Sequence, residues 1–112
     1  MSSDVRTRNG NARRKAVARL RAEGRPCWIC RAFGRDAAID YSLPARHPMS
    51  FECDELVPVS LGGSPTDPRN LAAAHRRCNE WRSNRSVAWV MGQAEAARGR
   101  SVARVEVSRS WL

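Results

Sequence analysis

Four side chains in this sequence have the types and spacing to hold one metal ion. Two residues separate Cys27 from Cys30, two separate His75 from Cys78, and 44 residues lie between the pairs. Each pair offers two soft donors from a tight turn, and together they make a Cys3His set. Thiolate and imidazole donors in a closed four-coordinate site suit Zn2+ better than magnesium or calcium. Such an ion closes a long loop and pins the start of a helix to the turn Cys27-Trp28-Ile29-Cys30. The remaining cysteine, Cys53, gives a rival set in which it replaces His75. It has no partner at knuckle spacing and stands in an apolar stretch, where a buried thiol behaves as a small hydrophobe. A redox role for Cys27 and Cys30 is the other alternative, but the pair does not open a helix after a strand as in a thioredoxin-like unit.

A chain of 112 residues with mean hydropathy −0.56 makes one domain with a small core, and a structural metal is one of the devices that supplement a small core. No apolar run is long enough to span a bilayer, and the N-terminus has no hydrophobic stretch of the secretory kind. The expectation is a cytoplasmic protein with no membrane partner, in a compartment where thiols stay reduced. Twenty Lys and Arg against eleven Asp and Glu leave a net charge of +9. Nineteen of the twenty are Arg, whose planar fork matches phosphate and stacks on bases, so the expected partner is nucleic acid. A GC-rich genome would explain the preference for Arg over Lys. It would not explain the net excess of positive charge.

These residues need elements to position them. Residues 1–10 are polar and aperiodic and read as a disordered basic arm. Over 11–25, Ala12, Ala16, Val17 and Leu20 recur at helical spacing among Arg13, Arg14, Lys15, Arg19 and Arg21, which predicts a basic helix with Asn11 as N-cap and Gly24 as stop. Residues 31–50 read as an irregular excursion with a short strand around Ile39-Asp40-Tyr41. Phe51 to Val59 alternates like a strand blunted by Pro58. A Gly- and Pro-rich loop over 61–69, a strand over 70–74 and a helix over 75–83 follow. Residues 86–112 form a C-terminal extension, with a helix over 87–98 interrupted by Gly92 and a strand over 102–107.

The run Asp54-Glu55-Leu56-Val57-Pro58-Val59-Ser60-Leu61-Gly62-Gly63, then Asn70-Leu71, then His75-Arg76-Arg77-Cys78-Asn79, resembles the HNH endonuclease family, in particular its small phage and prophage members. The resemblance covers about residues 26–85. It implies an α+β domain of the zinc-stabilised ββα-metal (His-Me finger) type with flanking helices, in which two strands and a helix cradle a catalytic divalent cation. Carried over by position, Asp54 and Asn79 are its protein ligands. A carboxylate and an amide oxygen are hard donors suited to Mg2+ or Mn2+, and the ion would act as a Lewis acid on the scissile phosphate. Asn70 takes the place of the family's central Asn and is expected to brace the loop.

Glu55 departs from the family, which has His there as the general base. A free Glu titrates near ~4.3 and a free His near ~6.5, so Glu55 is the weaker base. Three alternatives stand for it: a base with its pKa raised by burial, a further metal ligand, or a site that has lost catalysis. His47 could instead serve as base, or be an ordinary loop histidine.

Arg76, Arg77, Arg82 and Arg85 on or just after the predicted helix, with the basic helix before it, would hold DNA by its phosphates and read little sequence. Trp28 and Trp81 are expected in the core. The function that follows is metal-dependent DNA endonuclease activity, and for small phage proteins of this type the resemblance implies genome packaging beside the terminase in the host cytoplasm. A non-catalytic zinc module that binds DNA or an assembly partner is the alternative of another class, and an RNase is a third.

Overall fold

A computed structural model describes the backbone of residues 2–110 and the side chains of residues 10–100. The chain folds as a small α+β domain. Helix α1 (Ser2–Ala22) leads through a short turn to α2 (Trp28–Phe33). After an irregular stretch come strand β1 (Phe51–Glu55), two single 3-10 turns (Val59–Leu61 and Pro68–Asn70), strand β2 (Leu71–His75), α3 (Arg76–Arg82) and α4 (Val87–Ser110).

The two strands pair antiparallel, with Phe51 opposite His75, Cys53 opposite Ala73 and Glu55 opposite Leu71. Side chains alternate along a strand, so β1 sorts its five residues onto two faces. Phe51, Cys53 and Glu55 face α1. Phe51 stacks on Tyr41 with the Arg21 guanidinium of α1 above it, and Arg13 of α1 reaches Glu55 at 3.3 Å. Glu52 and Asp54 face α3, where they meet Asn79 and Arg82.

The core lies at one end of this ribbon and is small. Its buried cluster is Cys27, Ile29, Cys30, Ala74, Cys78 and Val90, with Trp28, Phe33, Ala37, Ile39 and Trp89 packed against it. Burying a residue such as Ile29 or Val90 is worth about 1.5–3 kcal/mol. Thiols occupy three of the six buried positions, so an ion held by them would contribute directly to the stability of the core.

Several expectations shift. Residues 2–10 continue α1 instead of forming a disordered arm, and the basic helix predicted over 11–25 ends at Ala22. Residues 39–41 form no strand. The alternation over 102–107 lies within α4, which also runs through Gly92 without a break. Short alternating runs rich in Val, Ala and Arg are compatible with either periodicity, and the length of the uninterrupted segment settles this one as helix. Residues 111–112 of the expected extension lie outside the described residues.

Candidate metal centre and the β1–α3 face

Cys27, Cys30, His75 and Cys78 are all buried, and their donor atoms lie within 4.8 Å of one another. Cys30 Sγ is 3.6 Å from Cys78 Sγ and 3.4 Å from His75 Nδ1, and Cys78 Sγ is 3.8 Å from His75 Nδ1. Bond lengths of about 2.3 Å to sulfur and 2.0 Å to nitrogen give tetrahedral edges of about 3.5–3.8 Å. The four residues could therefore hold a metal ion such as zinc. Among the described residues this is the only cluster of at least three His, Cys, Asp or Glu donors.

Local structure makes the cluster. Cys27 is the N-cap of α2, its sulfur accepting from the Cys30 amide at 3.5 Å, so one turn delivers both thiols. His75 is the last residue of β2 and the N-cap of α3. Its Nε2 lies 3.0 Å from the carbonyl of Ala38, which can only accept, so the proton sits on Nε2 and the Nδ1 lone pair points at the thiols. With the cap side chain so engaged, the first amides of α3 find other acceptors: Arg76 N donates to Ser50 O at 2.9 Å and Arg77 N to Pro48 O at 2.7 Å.

The thiols share protons as a packed cluster must. With the Cys78 thiol within 4.8 Å, the Cys27 sulfur is held far below the usual 9.0, to about 4, while Cys78 is pushed up and keeps its proton. A bound cation takes the place of that proton. Cys53, the rival ligand, stands on the α1 face beside Arg13, and burial raises its thiol pKa. The rival set is not assembled.

The second group of predicted residues is divided by the alternation of β1. Asp54 is buried on the α3 face, and its Oδ2 accepts from Arg82 Nη1 at 2.7 Å and from Trp28 Nε1 at 2.8 Å. Its Oδ1 has no hydrogen-bond partner among the described residues and is not sealed from solvent. Asn79 shares this face and donates its amide to Glu52 Oε1 at 2.7 Å. Glu55 lies on the other face, paired with Arg13, so it does not stand beside Asp54 and Asn79. His47 is exposed, its Nδ1 accepting from Met49 N at 3.0 Å within its own turn.

Asn70 braces the loop. Its Oδ1 accepts from Val57 N at 2.9 Å, and its Nδ2 donates to Val57 O at 2.9 Å and Ser64 O at 2.8 Å. Gly63 lies against the same carbonyl, where a Cβ would fall 1.7 Å from Val57 O. That close approach is why no side chain fits there.

Sequence reasoning missed Glu52, although it stands two residues before Asp54 and the period of a strand puts both on one face. It also misplaced Arg82. That guanidinium is buried, bonded to Asp54 and to the carbonyls of Glu55, Leu56 and Arg85, so it is a structural cation and not a surface contact. Arg77 and Arg85 are exposed, and Arg76 is spanned by Glu80 at 2.9 Å. Trp28 is half-buried at the edge of the core, whereas Trp81 is 41% exposed. No described helix is long and apolar enough to cross a membrane.

No family model matches the chain, and no curated protein or solved structure proves similar to it.

Proposed function

We propose that the chain is a zinc-stapled, metal-dependent DNA endonuclease of the HNH type, holding duplex through its phosphates and hydrolysing a phosphodiester bond. The observation that carries this proposal is the face between β1 and α3, where Asn79 of α3 bonds Glu52 and Asp54 lies two residues further along the same side of β1, bonded to Arg82 of α3. Trp28 and Arg82 fix one oxygen of Asp54 and leave the other available, which is how an oriented carboxylate is presented to a cation. The donors are hard oxygens, of the kind that suits Mg2+ or Mn2+. Asp54 Oδ1 and the Asn79 amide oxygen would hold such an ion, and when bound it supplies Lewis acidity toward a phosphate. Glu52 is the remaining carboxylate on that face and the candidate proton acceptor, a role the resemblance gives to position 55. Arg76, Arg77 and Arg85 supply phosphate contacts around α3.

A second reading, a non-catalytic zinc-stapled DNA-binding module, is favoured by two observations. The Arg82 guanidinium already compensates the Asp54 charge, and Glu55 is paired with Arg13 on the far face. Plasmid nicking with magnesium or manganese separates the two readings. Nicking by wild type that is lost in Asn79→Ala and Glu52→Gln but kept in Glu55→Gln supports the enzyme. Retained duplex binding without nicking under any divalent ion overturns it in favour of the module. Competition between RNA and DNA substrates tests the nuclease's choice of strand.

A further inference from the structure

Trp81 is a misfit as a core residue. It is 41% exposed, on a helix whose buried residues are Cys78 and Arg82, in a protein short of large apolar groups. Phe33 meets it edge-on at 5.6 Å and Trp89 lies tilted against it at 5.1 Å, so the indole is held in place while remaining open to solvent. It lines a cavity of about 290 Å³ together with Phe33, Arg35, Arg77 and Cys78.

No acidic side chain lines this cavity. Among the described residues, neither Arg35 nor Arg77 has a carboxylate within ion-pair distance. Arg35 lies over the Phe33 ring at 4.6 Å, and Arg85 lies over Trp89 at 4.2 Å beside it. Fixed, exposed indole between two uncompensated guanidinium groups is the chemistry that takes an aromatic ring and an anion at once. Stacking of a base on such a ring is worth about 1–3 kcal/mol, and arginine adds cation–π and phosphate contacts. The volume admits one base with its phosphate. A base within a duplex is already stacked on its neighbours and cannot enter.

We propose that this cavity binds one unstacked nucleotide of a single-stranded nucleic acid, with its base on Trp81 and its phosphate between Arg35 and Arg77. The inference rests on the nucleic-acid reading above and adds a substrate class to it: strand that is unpaired or opened at the protein surface.

The test is fluorescence anisotropy of the metal-loaded full chain with a labelled oligothymidylate, the matching oligouridylate and a labelled duplex. Trp81→Ala should weaken oligothymidylate binding about 5- to 150-fold, the stacking energy expressed as affinity, and leave duplex binding unchanged. Arg35→Ala should weaken single-strand binding and lower its salt dependence by about 0.7 on a log–log plot. Trp81→Phe, which keeps a ring and the packing against Phe33, should retain most of the affinity. If Trp81→Ala fails to fold, Trp81→Phe and Arg35→Ala carry the test. Tighter binding of oligouridylate with the same dependence on Trp81 and Arg35 upholds the pocket and assigns it to RNA. Wild type that binds duplex but not single strand, or single-strand binding indifferent to Trp81 and Arg35, overturns the pocket alone. Failure to bind duplex and single strand alike overturns the pocket together with the nucleic-acid reading.

Discussion

Arg82 Nη1 lies 2.7 Å from Asp54 Oδ2, and both side chains are almost wholly buried, at 1% and 6% exposure. The guanidinium also satisfies the carbonyls of Glu55 and Leu56 at the end of β1, so one side chain ties α3 to the strand it packs on. Breaking such a pair from one side leaves the other charge buried and uncompensated, at a cost of about 3–5 kcal/mol. Arg82→Ala and Asp54→Ala should each lower unfolding free energy by about that amount in chemical denaturation, and the double variant should lose clearly less than the sum. Loss of activity in Asp54→Ala would accordingly report folding as much as catalysis, which is why Asn79 and Glu52 are the better probes of chemistry.

In metal-loaded protein only Cys53 should react with an alkylating reagent under native conditions, because the other three thiols are ligands within a buried cluster. A strong chelator should expose all four cysteines and unfold the domain, since the ligands also make up half of its core cluster. Mass spectrometry of the alkylated protein counts them. Reactivity of Cys27, Cys30 and Cys78 with metal in place would be inconsistent with the proposed ligand set.

The Cys53 reaction should have its own pH profile. Burial raises this thiol above the usual 9.0, and the thiolate is the nucleophile. Its alkylation rate should therefore lag behind that of a free thiol at pH 8 and keep rising above pH 9, where the free thiol levels off. Coincident profiles would contradict the burial.

Asn70→Ala removes three hydrogen bonds to the loop after β1. At about 1 kcal/mol for each bond, the variant should lose about 2–3 kcal/mol. Gly63→Ala should be disruptive for a different reason, since its methyl would need the space held by Val57 O. Thermal unfolding of both variants checks the loop, and a neutral Gly63→Ala would mean that the loop has another conformation.

Arg77→Ala and Arg85→Ala should each weaken duplex binding regardless of base sequence and reduce the slope of log affinity against log salt by about 0.9 if one phosphate contact is lost. Titrations at several salt concentrations measure it. An unchanged slope in both variants would remove α3 and its exit turn from the DNA contact surface.

Spacing along the chain was sufficient to find the Cys3His cluster. Two thiols on one turn, and a histidine and a thiol on another, have their relative geometry set locally, so two residues of separation carry the signal without knowledge of the fold. The brace at Asn70 was expected from the resemblance alone, and the close approach of Gly63 to the Val57 carbonyl emerged only from the folded loop. What the sequence could not decide was orientation. Asp54 and Glu55 are neighbours in the chain, yet the pleat sends one to α3 and the other to α1, and only the register of β1 on β2 says which. Burial was equally hidden for the arginines and tryptophans. Arg76, Arg77, Arg82 and Arg85 look alike as a basic run, but a seven-residue helix shows one side to the strands, and that side takes Arg82 inward while leaving Arg77 and Trp81 at the surface. Ligand spacing is a local property of the chain, whereas the face a side chain presents depends on what packs against its element, and only the tertiary structure holds that information.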